Sequence, residues 1–138
     1  MATVWDPLRK KNVALTPEEG VRQWFIEVLH KEYGYPYHLM QSEVSFGFGE
    51  QMFTIARGAT QKVYRADIVI YDRNAKPFMI VECKRPQVPI TEETARQAAR
   101  YNLVLNVSWL VLTNGTKTVA FCREGDKFVP AAELPSAL

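Results

Sequence analysis

The chain has 138 residues, of which 47% are hydrophobic and 23% are charged. This length and composition predict one globular domain and exclude a chain that is disordered throughout. Lys and Arg outnumber Asp and Glu by 17 to 15, and the resulting charge of +2 permits a nucleic-acid partner without requiring one. The two cysteines lack zinc-type spacing, no apolar run reaches transmembrane length and no P-loop motif occurs. We therefore expect reduced thiols, a cytoplasmic location, no membrane partner and no ATPase motor.

The first half of the chain predicts one helix and two short strands. Residues 1–15 are expected to form a loosely ordered arm. Thr16-Pro17-Glu18-Glu19 is a capping box with proline at the first helical position, and an apolar stripe at helical spacing follows it, which predicts a helix over residues 17–33. Candidate strands run from His38 to Phe46 and from Gln51 to Ala56, and the stretch Gly47–Gly58 is interpreted as turns or as a loop at a cleft.

The second half alternates strands with a single helix. Strands are predicted over 63–71 and 77–84, joined by a turn at 72–76, and a helix is predicted from Thr91 to about Leu105. Strands over 107–113 and 116–123 flank a hairpin turn at Asn114-Gly115, after which the pattern fades. This order indicates an α/β domain over residues 16–130, with a central mixed sheet flanked by two helices and a tail over 131–138.

Charged side chains stand together at the end of a strand that is otherwise apolar. Glu82 and Lys84 point to the same face of that strand because they are two residues apart. A hairpin centred between Asn74 and Ala75 places Asp67 opposite Glu82, whereas a one-residue slip would move Asp67 to the other face. Two adjacent carboxylates repel each other unless a cation is present, and a set of hard oxygen ligands suits Mg²⁺.

This combination of residue types suits hydrolysis of a phosphodiester. A bound metal polarises a phosphoryl oxygen and activates water, while a lysine stabilises developing negative charge. Gln97 and Tyr101 share one face of the second helix, where both can hydrogen-bond water or phosphate. Two plainer interpretations stand beside this one: a structural ion-pair cluster, and a helix surface for Gln97 and Tyr101. Cys83 alternates away from the charged pair, so we expect it to face the core.

Five segments of the chain resemble the PD-(D/E)xK nucleases and, among these, the N-terminal nuclease domain of type I restriction enzyme R subunits. In order they are TPEEGVRQ, RADIVIYD, FMIVECKRP, ARQAARYN and WLVLTNG, and they span roughly residues 16–123. Ala66 stands where the family name has proline. The resemblance implies a restriction-endonuclease-like core and a Mg²⁺-dependent deoxyribonuclease, with Mn²⁺ as a substitute for Mg²⁺.

The resemblance also implies a role for individual residues. Asp67 and Glu82 match the metal ligands of these nucleases, and Lys84 matches their catalytic lysine. Gln97 and Tyr101 match a QxxxY pair that supports the substrate and the geometry of the site.

A glutamate of the first helix joins the metal site in many members of the family. Glu19 is the match, with Glu18 as the alternative, although the capping box already explains Glu19. Basic residues flank the motifs and form a candidate phosphate-binding patch or, equally, a solvated face; they are Arg57, Lys62, Arg65, Arg85, Arg96 and Arg100.

The partners implied by the resemblance are DNA and a second copy of the chain if both strands are cut. A type I R subunit continues into a helicase motor, and this chain ends first. We therefore expect a stand-alone relative or an isolated domain, with a motor or specificity subunit supplied by another chain. The residues themselves do not separate DNA from RNA or internal from terminal cleavage. The rival hypothesis is a non-catalytic nucleic-acid-binding or assembly module on the same fold.

Overall fold

The N-terminal residues form a β-hairpin in the computed structural model, which describes residues 1–46, 64–102 and 105–137, without the side chains of 45, 46, 64, 65 and 101. Strand β1 (Thr3–Asp6) pairs antiparallel with β2 (Lys11–Ala14). The expectation of a loose arm was wrong. Asp6 is fully buried, accepts a hydrogen bond of 2.8 Å from the backbone N–H of Leu8 and pairs with Arg9. These local bonds define the turn, and the hydropathy pattern does not reveal them.

Helix α1 (Pro17–Lys31) begins where the capping box predicts. The hydroxyl of Thr16 accepts a hydrogen bond of 3.1 Å from the backbone N–H of Glu19. The helix ends two residues before the predicted boundary, within the usual uncertainty of helix ends. Its inner face is apolar and buried, with Val21, Phe25, Ile26 and Leu29.

The main sheet of the described residues has six strands in the order β3-β4-β5-β6-β7-β8. A short 3₁₀ turn (Tyr37–Leu39) precedes the first of them. The strands are β3 (Met40–Phe46), β4 (Tyr64–Tyr71), β5 (Pro77–Cys83), β6 (Trp109–Thr113), β7 (Thr118–Glu124) and β8 (Lys127–Ala131). Neighbouring strands are antiparallel except β5 and β6, which are parallel and are joined through helix α2 (Glu92–Tyr101).

The predicted α/β class, a mixed sheet with two flanking helices, is confirmed. Strand β8 was missed because Pro130 interrupts its pattern, and proline is tolerated in strands at the edge of a sheet. Helix α2 is shorter than predicted and ends at Tyr101. The predicted strand over Gln51–Ala56 and the interpretation of Gly47–Gly58 lie outside the described residues. Within the described ranges, no helix is long and apolar enough to cross a membrane.

The sheet separates two hydrophobic clusters. Met79 and Val81 of β5 pack in the cluster that contains helix α1, whereas Ile80 packs in the cluster that contains Ala95 of α2. Because side chains alternate along a strand, the two helices cover opposite faces of the sheet. Each helix is thereby fixed against strands that carry the candidate site residues.

From Ile68 to Ile70 the register of β4 against β5 is the predicted one, but the assumption of a hairpin without a bulge was wrong, because the register shifts between Ile70 and Tyr71. Ile68 lies opposite Val81 and Val69 opposite Ile80, and the same register continued by one residue brings Asp67 opposite Glu82.

The alternation of β4 changes at Asp67. Ala66 and Val69 belong to the α2 side, whereas Ile68 and Ile70 belong to the α1 side. Strict alternation would put Ala66 and Ile68 on one face. Asp67 therefore lies where the strand turns over, opposite Glu82 and within reach of α1.

Candidate active site

Three of the predicted site residues line one cleft. Glu82 and Lys84, at the end of β5, and Gln97, on α2, border a cavity of about 380 Å³ together with Thr94 and Ala98 of the same helix. Glu82 and Lys84 share a face because they are two residues apart, and α2 covers that face. The structure therefore brings together a carboxylate, an ammonium and an amide from two elements.

Glu82 is a partly buried carboxylate with a raised pKa. Burial is the main cause, and the negative charge of Asp67 raises the pKa further. A hydrogen bond from Asn102 and the positive charge of Lys84 act in the opposite direction. The influence of Asp67 on the pKa of Glu82 agrees with the register that brings the two residues opposite each other.

Asp67 is held by two hydrogen bonds to different parts of the fold. Its Oδ2 accepts a bond of 2.7 Å from the backbone N–H of Cys83, and its Oδ1 accepts one of 2.9 Å from Arg22 Nη2. The side chain of Asp67 retains 17% of its exposure. Asp67 thus joins β4 to β5 and α1, and its side chain is partly exposed.

Arg22 is a site residue that the sequence analysis missed. Its side chain is only 5% exposed, and its guanidinium pairs with Glu19 at 2.7 Å, Asp67 at 2.9 Å and Glu43 at 3.2 Å. Burial lowers the pKa of Arg22, but the bond and charge of Asp67, with the charges of Glu19 and Glu43, raise it above its usual value. The sequence offers one signal for Arg22, namely its position on α1 close to the two glutamates of the first turn. The same pattern is typical of a solvated helix face, so it does not indicate a site residue.

Glu19 lies in this ion-pair network. Its carboxylate accepts hydrogen bonds from Arg22, from Arg9 at 2.8 Å and from Gln23 at 3.0 Å. The residue is 7% exposed. Its side chain therefore turns toward arginines, and the structure does not bring it to Glu82. The alternative, Glu18, is more exposed and lies 3.9 Å from Arg22.

Arg9 connects the N-terminal hairpin to the same network. It pairs with Asp6 in its own turn, with Glu19 on α1 and with Glu43 on β3 at 3.2 Å. Through Arg9, the hairpin therefore contacts the network that holds Asp67. The sequence analysis had placed Arg9 in a loosely ordered arm.

Asn102 is the second residue that the sequence analysis missed. It is 2% exposed, ends α2 and donates a hydrogen bond of 2.6 Å to Glu82 Oε1. An asparagine at the end of a helix is ordinarily interpreted as a cap, so no pattern in the sequence assigns Asn102 to the site.

Cys83 faces the core, as predicted. It is 3% exposed, and burial raises the pKa of its thiol well above the usual value. Cys83 therefore supplies packing and a backbone donor, and it is not a nucleophile.

Two of the predicted basic residues lie together on α2. Arg96 and Arg100 are exposed and, with Glu93 and Gln97, line a hollow of about 250 Å³. Gln97 also lines the cleft of Glu82 and Lys84, so the two concavities adjoin. Arg85 is exposed directly after Lys84. The side chains of Arg65 and Tyr101, and all of Arg57 and Lys62, lie outside the described part of the structure.

The carboxylates can be tested as ligands for a metal. In the described part of the chain, no group of three or more His, Cys, Asp or Glu side chains is arranged to hold one. Mg²⁺ commonly takes only one or two protein carboxylates and completes its shell with water and phosphate oxygens. Asp67 and Glu82 supply two carboxylates from neighbouring strands, and such a donor set is of the kind that Mg²⁺ takes. Asp67 pairs with one arginine, Arg22, whereas Glu19 pairs with two, Arg9 and Arg22.

The fold and the cleft together define an α/β domain with opposed carboxylates and a lysine at the end of a central strand. The profile of the family described as type I restriction enzyme R protein N terminus (HSDR_N) matches residues 17–135. The chain belongs to this family.

A solved structure supports the same fold. It is a fragment described as an HsdR subunit of a type I restriction enzyme from Vibrio vulnificus YJ016. The two chains are 22% identical, and they superpose with a TM-score of 0.59. The match covers 90% of this chain and 24% of that one, so the chain spans about a quarter of that structure's length. A search of curated proteins finds no match.

Proposed function

We propose that the chain is a metal-dependent DNA endonuclease-type domain of the PD-(D/E)xK class that hydrolyses phosphodiester bonds. The observation that carries the proposal is the meeting of Glu82, Lys84 and Gln97 in one cleft, with Asp67 opposite Glu82. Membership of the R-subunit N-terminal family supports a nuclease-related role and makes DNA the proposed substrate.

Each residue has a task that follows from its position. Asp67 and Glu82 would hold Mg²⁺ beside the phosphate, and Mg²⁺ when bound supplies charge neutralisation and activation of water. Lys84 Nζ would stabilise the negative charge that develops on the phosphate. Gln97, which borders the same cleft, would orient the phosphate or a water by hydrogen bonds from its amide. Tyr101 remains a proposed partner of Gln97.

The approach of DNA is proposed along α2. Arg96 and Arg100 line the hollow next to the cleft, and Arg85 is exposed directly after Lys84. Contacts of arginine with phosphates supply affinity without sequence information. We therefore propose DNA binding with little sequence preference by this domain alone, and recognition subunits or a motor supplied by other chains.

The test compares cleavage of supercoiled and linear DNA by wild type, Glu82→Ala and Lys84→Ala, with Mg²⁺ or Mn²⁺ in excess. Cleavage by wild type and at least a hundredfold loss in both variants is expected, because each loses a group that would act on the phosphate. Lys76→Ala is the matched control, since Lys76 is an exposed lysine in the turn at the other end of β5. It should cleave at the wild-type rate.

Wild-type rates in both site variants, with folding intact, would remove Glu82 and Lys84 from the mechanism. Absence of cleavage by every form, with DNA still bound, would favour a non-catalytic binding module. That second candidate has its own support, because the hydrogen bonds of Asp67 to Arg22 and to Cys83 are also those of a purely structural carboxylate. A binding module would show steep salt dependence and no effect of Mg²⁺.

A further inference from the structure

We infer that Asn102 is a positioning residue that fixes the Glu82 carboxylate for metal binding. The inference rests on the proposed function of the cleft and assigns it a residue from outside the motifs. Asn102 does not line the cleft itself; it lies behind Glu82 and acts through that side chain.

The direction of the bond follows from its two acceptors. Asn102 Nδ2 lies 2.6 Å from Glu82 Oε1 and 2.9 Å from the carbonyl oxygen of Ala98. A carbonyl and a carboxylate are both acceptors, so only the NH₂ group of the amide can occupy this position. Rotating the amide would set its oxygen against two other oxygens. The amide therefore donates one proton to its own helix and the other to Glu82.

The burial of Asn102 gives the bond its importance. At 2% exposure, the amide has little access to water, and a buried donor without a partner is costly. The bond to Ala98 anchors Asn102 on α2, because the backbone N–H of Asn102 also bonds to that carbonyl. The amide is thus a donor held at the end of α2, and Glu82 Oε1 is turned toward it.

One oxygen of Glu82 is left for a ligand. Oε1 is taken by Asn102, and the described residues provide no hydrogen-bond partner for Oε2. Asp67 is held in a comparable way by Arg22 and by the N–H of Cys83. Each carboxylate of the pair is therefore oriented by a buried donor from a different helix, Arg22 from α1 and Asn102 from α2. Outer groups of this kind commonly change metal affinity by ~10–100-fold when they are removed.

The experiment measures Mn²⁺ affinity by titration calorimetry, and by loss of the free-ion electron paramagnetic resonance signal, with and without a short DNA duplex. Asn102→Leu keeps the branched shape at Cγ, in a somewhat larger side chain, and removes the donor. We expect its dissociation constant for Mn²⁺ to rise roughly tenfold or more. Asn102→Ala provides a second variant without the branched side chain if leucine prevents folding.

Asn114→Leu is the matched control. Asn114 is also a buried asparagine, at 5% exposure, but its amide donates to the carbonyl oxygen of Val88 instead of to Glu82. Its Oδ1 also accepts hydrogen bonds from the backbone N–H groups of Thr116 and Lys117, so this variant should lose at least as much stability as Asn102→Leu and still keep the wild-type Mn²⁺ affinity. An equal loss of affinity in both variants would show a general effect of destabilisation and would overturn the inference.

A metal-free crystal structure of Asn102→Leu separates the inference from the proposed function. The Glu82 carboxylate is expected to leave its wild-type orientation. An unchanged orientation, or wild-type Mn²⁺ affinity in both Asn102 variants, overturns the role of Asn102. Absence of Mn²⁺ binding by wild type, with and without DNA, overturns the proposed function and with it the metal-binding role of Asn102, whatever orientation Glu82 adopts in the crystal.

Discussion

The burial of Glu82 lowers the stability of the fold at neutral pH. Burial and the neighbouring charge of Asp67 raise its pKa above the ordinary value of 4.5, so its ionised form is less favourable in the folded chain than in the unfolded chain. Stability contributed by a group with a raised pKa is present below the unfolded pKa and is lost as the pH rises through the folded pKa. The site therefore weakens the fold as it ionises.

Glu82→Gln should be more stable than wild type at pH 7, because it removes the buried charge. The difference in free energy of unfolding should shrink as the pH falls from 7 to about 4, below the ordinary pKa of 4.5, because the pKa of Glu82 in the folded chain is higher than that value. Urea unfolding at both pH values measures this. Glu124→Gln, at an exposed position of β7, is the control and should show no such trend. A stability difference that grows toward low pH would contradict the prediction.

The sequence predicted which residues lie together but not what holds them. Strand periodicity places Glu82 and Lys84 on one face, but the turn at 72–76 alone does not place Asp67 opposite Glu82. The turn pairs Tyr71 with Pro77, and the bulge between Ile70 and Tyr71, which the prediction assumed absent, shifts the register by one residue. Arg22 and Asn102 were missed because their partners are 45 and 20 residues away along the chain. Such contacts depend on how the helices dock on the sheet, and no local pattern contains that information.

Helix α2 depends on its N-cap more than α1 does, because it is only 10 residues long. The hydroxyl of Thr91 accepts a hydrogen bond of 3.1 Å from the backbone N–H of Thr94. Thr91→Ala should lower the free energy of unfolding by about 1 kcal/mol. Thermal or urea unfolding measures the loss.

Thr116→Ala is the control for this change, since Thr116 is exposed in the turn between β6 and β7. It should alter stability by less than ~0.5 kcal/mol. Equal effects of the two substitutions would mean that the cap contributes nothing beyond an ordinary surface threonine.

The elements with clear start signals were predicted, and those stabilised by context were missed. Both helices begin at a threonine whose hydroxyl caps the first turn. The N-terminal hairpin and β8 have no such signal. The hairpin depends on the buried Asp6 and on Arg9, which reaches α1 and β3. Strand β8 depends on a neighbour, β7, that offers it a pairing edge.

At the scale of the whole molecule, the two hydrophobic clusters share the same strands. Met79 and Val81 face one cluster and Ile80 faces the other. A displacement of β5 would therefore disrupt the packing of both clusters at once. We expect a single cooperative unfolding transition, as in other small domains.

Phe25→Ala on the α1 side and Leu110→Ala on the α2 side test this coupling. Both side chains are at most 1% exposed, and each truncation should cost about 2–5 kcal/mol. Circular dichroism and tryptophan fluorescence should report one coincident transition in each variant. Two separated transitions in either variant would show that the faces unfold independently.

Strand β8 is an edge strand that is poorly suited to pairing with a strand of another molecule. It lies at one end of the strand order, and Pro130 interrupts its row of backbone donors because proline has no N–H. A strand arriving from another molecule would meet a gap in the ladder, beside the charged Lys127 at the start of β8. The β8 edge therefore disfavours pairing with a strand of another molecule, and with it the growth of a continuous sheet between molecules.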